Sequence, residues 1–351
     1  MARRAKTEDI PETDRQEGQP HPRETFALIG QDVTLARVAR AIRSGRVPQG
    51  LLLTGPPGIG KATLAYRIAR YLLRYGATAE GPADLAVPPD DPVALQVAAG
   101  AHPGLLLLKR GLNPDTGRLM TVLSVHEVRK LAGFFGMTSG AGGWRVVIVD
   151  TADDMNDAAA NAQLKALEEP PGRAMLILLA NAPGRLLPTI RSRCQRFELR
   201  PLGEDELARE LAARAPDLQP EDRKALARLA GGSLGAALAL SGEDGLALAA
   251  EAERLIGRAA APDIAATLAL AEKLARMSEG VDRFGRFLVQ ALTDRIHARA
   301  RAGAPGLDRW AALVETLARS FARTGALHLE PRQTILSAAR AAAAAARGRA
   351  L

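Results

Sequence analysis

The sequence contains one cysteine, Cys194, and few aromatic residues, which make up 3% of its 351 positions. A single thiol forms no disulfide within the chain and does not complete a cysteine-based zinc site, so we expect no bound metal. With so few aromatics, the cores must be built from Leu, Ala, Val and Ile. No apolar run approaches the roughly 20 residues of a membrane span, so no membrane partner is expected.

Lysine is scarce as well, since seven of the 47 basic residues are Lys and the rest are Arg. Basic residues outnumber the 39 acidic ones and give a net charge of +8. This excess is compatible with a nucleic-acid partner but does not establish one. The basic residues are spread along the whole chain without an aromatic-plus-basic stacking platform, so the sequence assigns no residue to DNA contact.

The first 200 residues change in character at about residue 24. Residues 1–24 are rich in Pro, Glu and Arg and lack the apolar core of a secretory signal, which predicts a disordered extension of a cytoplasmic protein. From 25 to 200, short apolar runs alternate with helical stretches, which predicts an α/β domain with a five-stranded parallel sheet. The predicted strands are Leu51–Thr54, Leu105–Leu108, Val146–Val149, Leu176–Leu179 and Gln195–Leu199, and the helices between them include Lys61–Tyr75, His126–Phe135 and Ala158–Glu168. Ala77–Gly100, rich in Pro, Ala and Asp, is predicted to be an irregular insertion.

Residues 201–351 contain no convincing strand and are predicted to be entirely helical. Turn signals at Gly and Pro positions divide them into a small helical domain at 201–243 and a larger helical bundle at 244–351. The alanine-rich run Ala338–Ala346 is a strong helix former. We interpret it as the last bundle helix, with a coiled-coil tail as the alternative.

The strongest local motif is Gly55-Pro56-Pro57-Gly58-Ile59-Gly60-Lys61, which follows a predicted strand and opens a helix. Glycines let the backbone curl around phosphate oxygens, the helix N-terminus adds partial positive charge, and Lys61 reaches the outer phosphates. The alternative is an ordinary Gly/Pro turn before a helix. The next position, where a Ser or Thr hydroxyl coordinates Mg²⁺, is Ala62, with Thr63 one place later.

A second acidic motif follows the predicted strand Val146–Val149. Asp150 stands where P-loop NTPases place an aspartate beside Mg²⁺, but the next residue is Thr151, whose hydroxyl is no general base at neutral pH. Asp153 and Asp154 are displaced by two or three residues. We interpret Asp153 and Asp154 as structural, with Asp153 or Asn156 capping the following helix.

Several segments together resemble the AAA+ clamp-loader family of bacterial DNA polymerase III. They are Asp150–Asn156, Asn161–Pro171 with its Leu-Glu-Glu-Pro-Pro run, the Ser-Arg-Cys triplet within Pro188–Cys194, and Ile29–Gln31 with Val47-Pro48 before the phosphate loop. The resemblance implies an AAA+ module followed by a helical lid at 201–243 and a helical collar at 244–351. It also implies that Arg193 is an arginine finger acting on a neighbouring subunit's nucleotide, and that Asn181 lies near the first sensor position. The alternative for Arg193 is a surface arginine in a basic turn.

Within this family the sequence favours a subunit that does not hydrolyse ATP. Ala62 and Thr151 replace the Mg²⁺-binding hydroxyl and the catalytic glutamate, and Gly235 stands where the lid motif Gly-Ser-x-Arg has its arginine. The resemblance implies weak binding of ATP or ADP at residues 55–63, Asp150 and Asn181. It implies as partners the ATPase subunits of the gamma/tau type, the delta subunit, and the sliding clamp and primed DNA through the complex.

Two other functions stay open. The chain could be an active AAA+ ATPase, either a hydrolysing clamp-loader subunit or a DNA-repair motor, with Thr63 or Asp153 as unusual substitutes. It could also be a nucleotide-gated scaffold unrelated to replication. Family members commonly carry a four-cysteine zinc module between the first two strands, whereas this sequence has Ala77–Gly100 in that place.

Overall fold

The computed structural model describes residues 20–45, 47–112, 120, 122–136, 143–242, 244–277, 280–303, 306–327 and 330–347. The chain forms two compact units, one of residues up to 214 with 230–239, the other of residues 215–229 with those from 240 on. The predicted domain boundaries at residues 200 and 243 stay predictions.

The first unit contains all five strands and the helices that cover them. The helices and strands of both units, in chain order, are α1 Asp32–Arg43, β1 Gly50–Thr54, α2 Lys61–Tyr75, α3 Pro92–Ala98, β2 Leu105–Leu108, α4 Val125–Gly136, β3 Arg145–Val149, α5 Asp157–Glu168, β4 Ala174–Ala180, α6 Pro188–Arg193, β5 Cys194–Glu198, α7 Glu204–Arg214, α8 Pro220–Leu229, α9 Leu234–Ser241, α10 Gly245–Gly257, α11 Ile264–Arg276, α12 Gly280–Arg301, α13 Leu307–Leu327 and α14 Pro331–Ala346.

The strands form one parallel sheet in the order β2-β3-β4-β1-β5. This confirms the predicted five-stranded parallel sheet and α/β fold. All seven residues of the central strand β4 are buried, because helices cover both faces of the sheet. The edge strand β5 instead exposes Gln195, Arg196 and Glu198, which explains why its sequence is mostly polar.

Alternate residues of each inner strand face opposite cores. Leu51 and Leu53 of β1 join one cluster with buried residues of α1 and α2, whereas Leu52 joins a second cluster with buried residues of α4 and α5. The same division separates Ile177 from Leu176 and Leu178 in β4. A period of two in an apolar run therefore produces two separate hydrophobic layers.

The insertion between β1 and β2 is more regular than predicted, because α3 lies within Ala77–Gly100. Asp91 begins this helix by accepting the N–H of Val93 at 2.8 Å, and it also pairs with Arg74 of α2 at 2.8 Å. A second ion pair, Arg67 to Asp84 at 2.7 Å, ties the insertion to α2. The prediction failed because a seven-residue helix held by contacts to α2 has little periodicity of its own.

The predicted N-terminal extension lies outside the described residues at 1–19, and its last residues are ordered. His21 is buried, and residues Pro22–Glu24 form a 3-10 turn. Arg70 of α2 donates to the carbonyl oxygens of Arg23 at 2.9 Å and Thr25 at 3.2 Å. The prediction of disorder up to residue 24 is therefore wrong for this part, because a buried arginine binds its backbone.

The second unit has its own core, built from α10 to α14 and containing Phe284, Phe287, Trp310 and Phe321 among smaller apolar residues. The alanine-rich run lies in α14, which packs against α11 and α13. It is therefore a bundle helix, as predicted. Among the described residues, no helix combines the length and the apolar character that crossing a bilayer requires.

Candidate phosphate-loop site

The predicted phosphate loop joins β1 to α2 in the structure. Gly55 has φ +149° and Gly60, immediately before α2, has φ +103°, conformations that residues with a Cβ rarely adopt. A Cβ on Gly55 would also lie 2.8 Å from the carbonyl oxygen of Leu199. Ile59 is buried in the core under α2, so the loop is anchored at its centre as well as at both ends.

Lys61 points back into its own loop. Its ammonium donates to the carbonyl oxygens of Gly55 at 2.8 Å and Pro56 at 2.7 Å, and to Asn181 Oδ1 at 2.7 Å. An ammonium group has three N–H donors, so the protein satisfies all of them. Asn181 follows β4, the neighbour of β1 in the sheet, which explains how a residue 120 positions away meets the loop.

Burial lowers the pKa of Lys61 to about 8, and the negative charges of Asp150 and Asp153 oppose this shift. Asp150 immediately follows β3 and is buried. The structure thus brings together the loop, Asp150 and Asn181, all of which the sequence predicts as binding residues. Their role in nucleotide binding stays a prediction.

Asp153 has a contact that the sequence did not reveal. Its Oδ2 accepts the backbone N–H of Asn181 at 3.1 Å and of Ala182 at 2.7 Å, while Oδ1 is buried without a hydrogen-bond partner in the structure. The helix cap is Asn156, which accepts the N–H of Ala159 at 2.9 Å. Asp153 is therefore structural, as predicted, but it fixes the end of β4 rather than capping α5.

Ala62, Thr151 and Gly235 are the three residues that differ from those expected in hydrolysing subunits. Ala62 packs part of its surface against the core beneath α2, and Thr63 is the next residue around the helix. Thr151 has φ +55°, a left-handed conformation that is costly for a β-branched residue. Gly235 donates its N–H to the carbonyl oxygen of Gly58 at 3.2 Å, so it meets the loop through backbone alone.

Ser233 is a further contact that sequence reasoning missed. Its hydroxyl donates to the carbonyl oxygen of Pro57 at 3.0 Å and accepts the N–H of Ala236 at 3.1 Å. It therefore caps α9 and attaches it to the phosphate loop. A serine just before an apolar helical run is a recognisable cap signal, but the sequence does not reveal the loop as its second partner.

Arg193 is the last residue of α6 and lies away from the phosphate loop. β1 and β5 are parallel, with Gly50 opposite Cys194 and Thr54 opposite Glu198. Arg193 precedes this pairing and the phosphate loop follows it, so they lie at opposite ends of the paired strands. At about 3.3 Å per residue, the length of β1 separates these two ends by about 13 Å.

No group of three or more His, Cys, Asp and Glu side chains is placed to hold a metal ion within the described ranges. Cys194 is buried and free, and burial raises the pKa of its thiol to about 12. The absence of zinc stays a prediction.

The sheet order, with the phosphate loop after its fourth strand in space and an acidic residue after β3, defines a P-loop module of the AAA+ class. A family model described as DNA polymerase III, delta subunit, matches residues 30–203. This segment, 174 of the 351 residues, is similar to that family, which confirms the predicted resemblance to clamp-loader subunits.

Curated relatives agree with the family model. The chain is 40% identical over 183 residues to DNA polymerase III subunit delta' of Pseudomonas aeruginosa, covering 52% of each chain. It is 34% identical over 209 residues to subunit delta' of Escherichia coli K12, covering 58% of each. Identity to subunit gamma/tau of Mycobacterium tuberculosis is 32% over 181 residues, covering 49% of this chain and 28% of that one. The chain thus matches just over half the length of the delta' relatives.

Among solved structures, a DNA polymerase III gamma subunit-related protein of Thermotoga maritima aligns with a TM-score of 0.48 at 17% identity, covering 89% of this chain and 98% of that one. The RuvB branch-migration motor of the same organism aligns with a TM-score of 0.42, also at 17% identity, covering 81% and 86%. Both scores are low, so the fold assignment depends on the strand order and the loop of this chain.

Proposed function

We propose that this chain is a clamp-loader subunit of the delta prime type, which does not hydrolyse ATP and supplies Arg193 to the nucleotide of a neighbouring ATPase subunit. The observation that carries the proposal is the separation of Arg193 from the phosphate loop. Because the two lie at opposite ends of the paired strands β1 and β5, we infer that this arginine serves a phosphate held by another chain. The family match and the delta' relatives support the same role.

Three groups needed for hydrolysis have no counterpart at the loop. The methyl group of Ala62 offers Mg²⁺ no oxygen, Thr151 offers the attacking water no carboxylate, and Gly235 offers the γ-phosphate no guanidinium. Asp153 does not replace the missing glutamate, because its Oδ2 is already bound to the backbone at the end of β4. An active ATPase is therefore the less favoured function.

Nucleotide binding at this loop is weak in our proposal. Lys61 is the group that fits the outer phosphates of ATP or ADP, but its three N–H donors are engaged by protein oxygens. A phosphate that binds Lys61 must displace these hydrogen bonds, and their loss offsets much of the binding free energy that the new hydrogen bonds to phosphate contribute. In this proposal a bound nucleotide contacts the loop through its phosphate oxygens, and the site does not use zinc.

The relatives support the proposed partners. The similarity to gamma/tau subunits as well as to delta' subunits supports assembly with ATPase subunits of the gamma/tau type and with delta. Through that complex the chain would act on the sliding clamp and primed DNA in the cytoplasmic replisome. In the transition state of the neighbour's reaction, a guanidinium stabilises the charge that develops on the transferred phosphoryl group.

The test is the DNA-stimulated ATPase of a reconstituted complex that contains Arg193→Ala. We expect a sharp loss of turnover with unchanged assembly, because one ATPase site loses its charge partner. Arg191→Ala is the matched control, since Arg191 is exposed in the same short helix. Arg196→Ala is a second control, although Arg196 also donates to Thr54 Oγ1 at 3.2 Å.

Three results would contradict the proposed function. If all three alanine variants behave alike in the complex, Arg193 is an ordinary surface arginine. If the isolated wild-type chain shows clear magnesium-dependent turnover, it is an active ATPase. Co-purification from lysate without any clamp-loader subunit would instead support a scaffold unrelated to replication.

A further inference from the structure

Arg193 is held by a carboxylate of its own subunit. Its Nη2 lies 2.7 Å from Glu168 Oε1, and its Nη1 donates to the carbonyl oxygen of Thr189 at 3.1 Å. Glu168 is the last residue of α5 and Arg193 the last residue of α6, two helices that pack together in the first unit. The ends of the two helices therefore place the pair side by side.

This pairing leaves most of the guanidinium available. A guanidinium has five N–H donors, and the two contacts to Glu168 and Thr189 occupy only part of this set. The Arg193 side chain is 38% exposed. A phosphate oxygen can therefore be bound by the remaining N–H groups while Glu168 stays in place.

The position of Glu168 is not explained by its own helix. A carboxylate in the last turn faces the negative end of the helix dipole and is unfavourable there. The positive charge of Arg193 offsets this cost. Glu169, the next residue, is also exposed, yet it makes no ion pair of 4.0 Å or less with another described residue. Glu168 and Glu169 are therefore adjacent residues of the same type that differ in their contacts.

We propose that Glu168 is a positioning residue for Arg193: it holds the guanidinium in the orientation in which the remaining N–H groups meet the neighbour's nucleotide. An arginine side chain loses much rotamer freedom when it is fixed, so orientation before assembly lowers the entropy cost of reaching the transition state. An exposed ion pair is weak, so it orients the finger without trapping it. This inference rests on the proposed function.

Two experiments test it. In the free subunit, the ¹⁵N signals of the Arg193 guanidinium, assigned by their loss in Arg193→Ala, should show hindered rotation that becomes fast in Glu168→Gln. In the reconstituted complex, Glu168→Gln should lower the DNA-stimulated kcat by about two- to fivefold, the range that an exposed ion pair supports, with the KM for ATP unchanged. Glu169→Gln should leave the guanidinium signals and kcat as in the wild type.

The double variant Glu168→Gln with Arg193→Ala separates the possible failures. We expect it to match Arg193→Ala alone, because Glu168 acts only through the finger. The inference is overturned if Glu168→Gln equals Glu169→Gln, if it raises kcat, or if it lowers kcat further in the Arg193→Ala background. If Arg193→Ala itself has no effect, the proposed function fails and the inference falls with it, whatever the guanidinium signals show.

Discussion

Lys61 Nζ and Asn181 Oδ1, 2.7 Å apart, connect the first residue of α2 to the residue that follows β4. With the two loop carbonyls, this bond gives a buried ammonium a complete set of acceptors. The group that distinguishes a phosphate loop is therefore part of the protein's own hydrogen bonding. Its protonation and its removal both have consequences that can be measured.

The depressed pKa of Lys61 makes stability depend on pH. The pKa is about 8 in the folded chain and about 10.4 in an unfolded one, so between these values the unfolded state binds more protons. Stability of the first unit should therefore rise with pH across this window, relative to Lys61→Met, and the difference should be constant below pH 8. Urea unfolding at pH 7 to 10 measures it.

The measurement can be confined to the first unit. Trp144 belongs to this unit and Trp310 to the other, so in a Trp310→Phe background the tryptophan fluorescence reports on the first unit alone. Lys165→Met, at an exposed position of α5, is the control. If the free energy of unfolding changes with pH in the same way for the wild type and Lys61→Met, the ammonium is not buried as described.

Asp153 and Asp154 should differ in what their removal costs. Asp153→Ala leaves two backbone N–H groups at the end of β4 without their acceptor and should destabilise the first unit by about 1–3 kcal/mol. Asp154 pairs with Arg110 at 3.6 Å and is partly exposed, so Asp154→Ala should cost about 1 kcal/mol or less. Urea unfolding of both variants gives the comparison, and equal costs would contradict it.

Restoring two of the missing groups should not restore hydrolysis. In Ala62→Thr with Thr151→Glu, the lid arginine is still absent, and residue 151 keeps its left-handed backbone, which strains the new glutamate. We expect no robust release of phosphate from ATP by this double variant. Addition of Gly235→Arg is the comparison that should raise turnover. Hydrolysis by the double variant at the rate of a typical hydrolysing subunit would show that our account of the site is wrong.

Cys194 should react very slowly in the folded chain. With the pKa of its thiol raised to about 12 by burial, about one molecule in ten thousand carries a thiolate at pH 8, and the thiolate is the reactive form. Iodoacetamide labelling followed by mass measurement should be slow in buffer and fast in urea. Ser192→Cys, at an exposed position nearby, should label quickly in both. Fast native labelling at Cys194 itself would refute the prediction.

The sequence predicts the sheet well because its strands are short apolar runs with clear breaks. β2 is predicted to the residue, and α2 begins and ends where expected, after Gly60 and before Gly76. The order of the strands, in contrast, depends on packing between segments that are far apart in sequence. The spacing of the apolar runs therefore does not predict it.

The site was predictable where a local motif contains it and unpredictable where a contact joins segments that are distant in sequence. The loop glycines and Lys61 are recognisable because phosphate binding needs those residue types together. The contacts of Asp153 with the end of β4 and of Glu168 with Arg193 join residues about 25 positions apart or more. Nothing in the local pattern distinguishes these carboxylates from neighbouring ones, so only the folded chain identifies them.

β1 and β5 run parallel to each other, so the two ends of this strand pair carry different groups. The end of this strand pair that follows Thr54 and Glu198 carries the phosphate loop, and the end that precedes Gly50 and Cys194 carries Arg193. Under the proposed function, Arg193 meets one neighbour while the subunit's own loop lies at the other end of the strands; a contact of this kind, made with two different neighbours through two different surfaces, is heterologous, head to tail, and repeats into a closed ring or an open helix. A subunit that acts as proposed would therefore serve one neighbour and face a different one with its own loop.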